Sequence, residues 1–376
     1  MAEKFSLKDE LFNSEKVAKI ASEIKEVYAE FEQEKFEKEV VEKFPQLELK
    51  NRIFHIRDML AKYLPADFKE ATNILLKALP PELDTTKTDD DFGDFIYSPY
   101  SEFITVFGCT KEYLIFSLDA LGEITKRFSV EFAIRDFINE FPKESYAKLH
   151  KWSFSKNYHQ RRVASEGLRL VLPWAKKINI DYHDNLPILE NLYHDNARFV
   201  TRSVANHLND ISKKDATLVL DTLKKWKNSQ KQDAKEMEFI INHALRTLVK
   251  NGHEQTLIFL GYRPNPAIKI QKFKLTCDDV KIGEALEFSF DIDAQKEEGL
   301  IVDYIIHFRT KAGKFSPKVH KIKKLTLNKD ERVKLSKKHH FKANMTTRKL
   351  YEGAHKIELQ INGKVYEHST FQLKEI

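Results

Sequence analysis

Two hydrophobic periods divide this chain. Up to residue 262 apolar positions recur every three or four residues, the spacing of one helix face. From residue 268 onward they recur every second residue, the spacing of a half-buried strand. Residues 14–44 read as one long charged helix. Val17, Ile20, Ile24, Val27, Tyr28 and Phe31 form its apolar stripe, behind an Asn13/Ser14 cap. Residues 51–64 repeat the pattern with Ile53, Ile56, Met59, Leu60 and Tyr63. Pro80-Pro81 and the run Asp89, Asp90, Asp91 and Asp94 predict a loop near 80–97. The aspartates lack EF-hand spacing and a terminal bidentate Glu, so they read as a solvated loop.

Between 110 and 262 the pattern is of paired helices with an internal repeat. QRRVASEGLR at 160–169 compares with VTRSVANHLN at 200–209, and aligning Val163-Ala164 on Val204-Ala205 gives a period of 41 residues. FIINHALRTLV at 239–249 is a weaker third copy, with Ala244-Leu245 in the equivalent place. An all-helical period near 40 falls in the HEAT/armadillo range, in which each helix pair buries its apolar face only against the next. Arg263-Pro264-Asn265-Pro266 stops the helical pattern. Beyond it Leu286, Phe288, Phe290 and Ile292 alternate with polar residues, as do Val302, Tyr304, Ile306 and Phe308. Ile357, Leu359 and Ile361 lead into Asn362-Gly363, a two-residue hairpin signal because both positions of that turn need positive φ. The expected architecture is multidomain: an all-α HEAT-like repeat solenoid over 1–262, a linker at 263–267, and a small all-β immunoglobulin-like sandwich over 268–376.

Composition narrows the function. With 41% apolar and 32% charged residues the chain has the make-up of a folded protein. No apolar run approaches the roughly 18 residues of a membrane span. The acidic opening MAEKFSLKDELF lacks a secretory signal, and Cys109 and Cys277 cannot form a disulfide framework. A reducing, cytoplasmic setting is expected. The net charge of +6 is uneven. Residues 265–376 carry 23 basic and 15 acidic residues (+8), which leaves 40 basic and 42 acidic (−2) for the rest. Residues 311–351 alone hold 14 basic and 2 acidic residues. In residues 151–180, Lys151, Lys156, Arg161, Arg162, Arg169, Lys176 and Lys177 against Glu166 give +6. A single charge run is usually a solvated face. Two runs in two domains point to one polyanion gripped from two sides, with salt-dependent affinity.

No HExxH, P-loop, GxSxG or GxGxxG is present, and the 14 histidines have no metal spacing. His339-His340 reads as surface, and His194-Asp195 as a turn cap. The dense block WSFSKNYHQRRVASEGLRLVLPW at 152–174 concentrates Arg161, Arg162, Glu166 and Trp174. Arg162 and Glu166, four apart, share a helix face, and their plain reading is an intrahelical ion pair. Glu131, in RFSVEFAIR at 127–135, has the same plain partner in Arg135. Phe154, Phe341, Trp152 and Trp226 read as core packing.

The segments YSPYSEFITVFG at 97–108, LDALGEITKRFSVEFAIRDF at 118–137, NYHQRRVASEG at 157–167, LPW at 172–174 and RSVANHLNDISK at 202–213 resemble the AlkC-type DNA alkylation repair glycosylases of the AlkD-like HEAT-repeat superfamily. The resemblance covers most of 1–262, and one branch of that family carries an immunoglobulin-like C-terminal domain. One departure is that 168–172 reads LRLVL, where a more basic, proline-containing stretch is expected. The resemblance implies excision of cationic methylated bases, 3-methyladenine and 3-methylcytosine, from double-stranded DNA. It implies no metal or other cofactor and no flipping of the base into a pocket, in a bacterial, nucleoid-associated protein that works as a monomer. It makes Glu131 and Glu166 the active-site carboxylates, Trp174 the aromatic wall at the lesion and Arg162 a backbone clamp. Arg161, Arg202, Lys337, Lys338, Lys342, Arg348 and Lys349 are further expected DNA contacts. Against this stand a non-catalytic HEAT-repeat DNA-binding protein and a protein-interaction solenoid with a basic tail; the +6 segment at 151–180 argues against the latter.

Overall fold

The computed structural model describes residues 6–89, 91–343, 345 and 348–375. By compactness the chain divides into two units, Met1–Ala244 and Leu245–Ile376.

The first unit is helical. Asn13 caps Ser14–Val27, its side chain accepting from the Lys16 N–H at 3.0 Å. The single helix expected over 14–44 is two, Ser14–Val27 and Gln33–Lys43. Val27 is 40% exposed and does not continue the stripe. The chain instead turns so that Phe31 packs on Phe36 and Tyr63, with ring centres 5.2 and 6.3 Å away. Lys25 Nζ holds the turn by donating to the carbonyls of Ala29 and Phe31. Further on, Pro142–Trp152 packs against Tyr158–Glu166, which packs against Arg198–Ser212, which packs against Ala234–Ala244. The repeat seen in the sequence is the seam of this stack: Val163, Ala164, Val204, Ala205 and Ala244 are all fully buried.

The second unit is a pair of sheets. Its strands are β1 (Ile268–Leu275), β2 (Asp279–Lys281), β3 (Ala285–Ala294), β4 (Glu298–Arg309), β5 (Phe315–Leu327), β6 (Arg332–His340), β7 (Gly353–Ile361) and β8 (Lys364–Lys374). One sheet has the order β1-β3-β6 and the other β2-β8-β7-β4-β5; pairs are antiparallel except β2–β8. The alternating residues of β3, β4 and β7 meet in one core with Phe341, Phe371 and Leu373. At the β7–β8 turn Asn362 and Gly363 have φ of +47° and +77°, as the hairpin requires.

Two short helices, Arg246–Lys250 and Glu254–Phe259, belong to this unit, so the division falls before the prolines at 264 and 266. The cause is local. Gln360 Nε2 donates to the Lys250 carbonyl at 3.1 Å, and Asn362 Nδ2 to the Arg263 carbonyl at 2.8 Å. Gly252 backs directly on Gly363, where a Cβ on Gly252 would stand 2.7 Å from the Gly363 oxygen.

Trp152, Trp226 and Phe341 are core residues, but Phe154 is 64% exposed. His340 is exposed, whereas His339 is half-buried and faces inward beside Tyr304, whose hydroxyl meets its Nδ1 at 2.8 Å, and burial pushes its pKa down to about 4. Cys109 and Cys277 are unpaired. Among the described residues no helix is long and apolar enough to cross a membrane.

Candidate active site

Three neighbouring segments supply the site. The turn before helix Ile134–Glu140 carries Ser129 and Glu131; helix Tyr158–Glu166 carries Arg162 and Glu166; helix Arg198–Ser212 carries Phe199, Ser203 and Asp210. Asn157 caps the middle helix, accepting from the His159 N–H at 2.9 Å, and Gly167 ends it.

Arg162 is the centre. It is 6% exposed, and its Nη1 donates to Ser129 Oγ at 2.5 Å and to Glu131 Oε2 at 3.2 Å. Its Nη2 lies 3.9 Å from Glu166 Oε1. One guanidinium thus joins both carboxylates. The Phe199 ring lies 4.3 Å from it and the Phe92 ring 5.6 Å, on the face where a cation is attracted. Arg162 is enclosed, so it is not placed as a free clamp on a phosphate. The intrahelical pair with Glu166 exists but is the looser of its two carboxylate contacts.

Glu166 is held from every side. Oε1 accepts from Arg169 Nη1 at 2.7 Å and Oε2 from Ser203 Oγ at 2.6 Å. Burial alone would raise its pKa; Arg162, Arg169 and the Ser203 hydroxyl outweigh this and keep it below the usual carboxylate range. Arg169 Nε continues to Asp210 Oδ2 at 3.0 Å. The one arginine of the departing LRLVL segment therefore serves the site. His207, fully buried, meets the Ser165 carbonyl at 3.1 Å and stays neutral, its pKa pushed down to about 4 by burial and by Arg169. Glu131 differs from Glu166: its side chain is 13% exposed, and Arg162 is its ion-pair partner.

Arg135, the expected partner of Glu131, is 1% exposed and points elsewhere, to the carbonyls of Gly167, Arg169 and Lys176. Those carbonyls belong to the loop that carries Trp174. That tryptophan is 74% exposed, with φ at +65°.

The remaining expected contacts fall into two groups. Arg161 is committed to the fold: it grips Asp195 at 2.5 and 2.9 Å and donates to the carbonyls of Ser155 and Lys156. Here it braces the turn between its own helix and Asp195. Asp195 also caps the next turn, as expected, accepting from the Ala197 N–H at 2.9 Å. Arg202 pairs with Asp89 at 2.5 Å. In the second unit Lys337 is half-buried and Lys338 exposed on β6, where Lys338 pairs with Glu287. Lys342 and Lys349 are exposed, and Arg348 lies 4.0 Å from the Phe308 ring.

The 80–97 loop is not simply solvated. Asp94 Oδ2 binds Lys16 at 2.7 Å and Lys19 at 3.1 Å, and Thr88 accepts from the Phe199 N–H. Gly93, at φ +75°, lets this loop approach Arg127 so closely that a Cβ would stand 1.7 Å from its carbonyl oxygen. The loop brings Phe92 to Arg162. Asp90 lies outside the described residues. No group of three or more His, Cys, Asp or Glu that could hold a metal occurs among the described residues.

Sequence reading missed Ser129, Arg169, Ser203, Asp210 and the loop-directed role of Arg135. The repeat held a signal for two of them: Arg169 and Asp210 are 41 residues apart, one period, and meet across the seam.

Comparison with known proteins finds relatives for both the helical unit and the β-sandwich. A family model described as DNA alkylation repair enzyme matches residues 128–248. A second, for the C-terminal Ig-like domain of the uncharacterised protein YhaZ, matches 269–375. Uncharacterized protein YhaZ of Bacillus subtilis (strain 168) is 34% identical over 370 residues, which is 97% of this chain and 98% of that protein. The Pseudomonas fluorescens alkylpurine DNA glycosylase AlkC, bound to DNA containing an abasic site analog, superposes with a TM-score of 0.87 at 28% identity, covering 98% of this chain and all of that one. The chain belongs to the DNA alkylation repair enzyme family, in the form that carries an Ig-like C-terminal domain.

Proposed function

We propose that this protein is a DNA glycosylase that excises cationic N-alkylated bases, 3-methyladenine and 3-methylcytosine, from duplex DNA by hydrolysing the N-glycosidic bond. The lesion stays out of any enclosing pocket, and no metal or cofactor takes part. The observation that carries the reading is the pair Glu131 and Glu166 sharing the Arg162 guanidinium.

A base alkylated at a ring nitrogen already carries positive charge and departs neutral when the C1′–N bond electrons move onto it. No acid has to protonate it. The sugar is left oxocarbenium-like, the same electronic state that glycosidases stabilise. Water then adds to C1′ and loses a proton. Preorganised charge aimed at such a cation lowers the barrier more than it aids ground-state binding. Glu131, the more exposed carboxylate, is the one that faces the sugar and positions the water. Glu166, with both oxygens engaged, fixes Arg162, and through it Glu131. Trp174 offers an exposed π-face to the cationic nucleotide. An unmodified base leaves poorly, and nothing in this set protonates it, so selectivity for charged lesions follows.

The basic strip of the sandwich acts as a second grip on the duplex, through Lys337, Lys338, Lys342, Arg348 and Lys349. Lysine and arginine beside DNA read charge and groove shape, which suits a protein that scans any sequence.

The test is chromatographic detection of bases freed from methylated DNA. Wild-type protein releases 3-methyladenine; Glu131→Gln binds the same DNA and releases it about 100-fold to 1,000-fold more slowly, as for loss of a preorganised charge. Tight DNA binding with no release by the wild type would leave the non-catalytic DNA-binding reading in its place.

A further inference from the structure

The loop that bears Trp174 is fastened through its main chain as well as through the side chains of Arg169, which meets Glu166 and Asp210, and Lys176, which pairs with Asp136. Arg135, buried on helix Ile134–Glu140, donates to the Gly167 and Arg169 carbonyls at 2.9 Å each and to the Lys176 carbonyl at 2.5 Å. One guanidinium closes both feet of the arch. Asn139 Nδ2, one turn further along the same helix, donates to the Lys177 carbonyl at 3.0 Å. At the crest Lys50, on helix Leu49–Tyr63, donates to the carbonyl of Trp174 itself at 2.5 Å. The Trp174 backbone lies in the left-handed region at φ +65°, which a bulky side chain enters only when its surroundings hold it there. Its indole is 74% exposed, so the side chain contributes little packing to keep the arch in shape. Burying a guanidinium against neutral carbonyls is costly, since no carboxylate balances the charge directly. A buried apolar residue would have served stability better. The planar fork, however, can reach several acceptors at fixed angles, which an ammonium cannot.

We infer that Arg135 and Lys50 are positioning residues that hold the 167–177 arch, and with it the Trp174 indole, in the geometry that base release needs. The inference rests on the glycosylase reading for its catalytic consequence, but its structural part can be measured without catalysis. The three tryptophans make this possible: Trp152 and Trp226 are 4% and 1% exposed, so a water-borne quencher reaches Trp174 selectively.

The experiment compares the full chain with Arg135→Lys, Lys50→Met and Asn139→Ala. A Trp174→Phe chain supplies the signal of the buried tryptophans for subtraction. Time-resolved anisotropy of the quenchable emission reports how freely the Trp174 indole moves. In Arg135→Lys and Lys50→Met it gains a fast component absent from the wild type. In the same proteins kcat for 3-methyladenine release falls on the order of tenfold to a hundredfold, as expected when a reacting group loses its alignment, while KM changes less than twofold. Asn139→Ala shows the same signs more weakly. A rise in KM at constant kcat in Lys50→Met, with wild-type anisotropy, would make Lys50 a plain DNA contact and overturn its part. Wild-type anisotropy and kcat in both Arg135→Lys and Lys50→Met would overturn the whole. If Arg135→Lys does not fold, the two exposed-residue variants decide alone. A wild-type protein that releases no base refutes the glycosylase reading, whereas the anisotropy still judges the latch.

Discussion

In the helical unit Arg135, Arg162, Glu166, Arg169 and Asp210 are each less than a tenth exposed. In the sandwich the interior is Leu286, Phe288, Phe290, Ile292, Tyr304, Ile306 and their neighbours. The sandwich does bury carboxylates, but singly: Glu298 meets Arg263 at 3.1 Å, and Asp291 lies 3.5 Å from Lys272. The helical unit instead threads three acids and two arginines into one chain from Glu131 to Asp210. Desolvating ions offsets most of what their attraction gains, so an apolar filling of equal volume would usually be as stable or more so. Such a network is therefore poor support for a fold and good support for a site. Where the sandwich is basic, the charge lies on its surface, where it costs little and can meet a polyanion.

This contrast can be broken at either end. Asp210→Ala leaves Arg169 half paired in the interior and is expected to destabilise the helical unit by about 3–5 kcal/mol, read as a lowered urea midpoint of its transition. Phe290→Ala should cost the sandwich about 3–5 kcal/mol through lost burial and a cavity, with the helical transition unmoved. If both substitutions shifted both transitions equally, the two units would not be separate folding units.

A smaller effect is expected at Asp303. Burial pushes its carboxyl up to about 6, against the pull of Lys321, Lys250 and Lys324. Since the folded protein then holds the proton more tightly than the unfolded chain, this group's stability is present below pH 3.8 and is lost as pH rises toward 6. Asp303→Asn should raise the sandwich Tm at pH 7.5, by up to about 2–3 kcal/mol in free energy. At pH 4 the gain should vanish, and thermal scans at the two pH values check the sign. The opposite sign holds at His207, whose depressed pKa of about 4 means that its contribution is present above 6.5 and fades as pH falls toward 4. The smallest change is Lys338→Ala. Its exposed pair with Glu287 should contribute under about 1 kcal/mol, so stability barely moves. The slope of log affinity against log salt on random duplex DNA should nonetheless fall by about 1. An unchanged slope would remove Lys338 from the DNA grip.

Much of the fold was legible in order of residues alone. The switch from a period near 3.6 to one of 2 separates helical from sheet regions because side-chain direction along each element follows from its backbone. The 41-residue repeat marks the buried seam through Val163 and Val204, and Asn362-Gly363 marks its hairpin because few residue pairs tolerate two positive φ angles. Glu166 and Trp174 stood out in the dense block at 152–174, but Glu131, Glu166 and Trp174 became site candidates through family resemblance. Beyond the i,i+4 pair of Arg162 with Glu166 and the one-period spacing of Arg169 and Asp210, pairing was not legible. Arg162 and Glu131, Arg135 and the 167–177 carbonyls, and Ser203 and Glu166 are joined across 31 to 41 positions, and nearest-neighbour spacing points to other partners. The break at 28–32 and the inward turn of His339 were likewise set by what lay opposite them. Local propensity and periodicity are properties of a segment, so the chain by itself determined the elements and their apolar faces. Which charge meets which is a property of distance in space, and a guanidinium that can reach several acceptors takes the set that stacking brings within about 3 Å; that choice only the tertiary structure made.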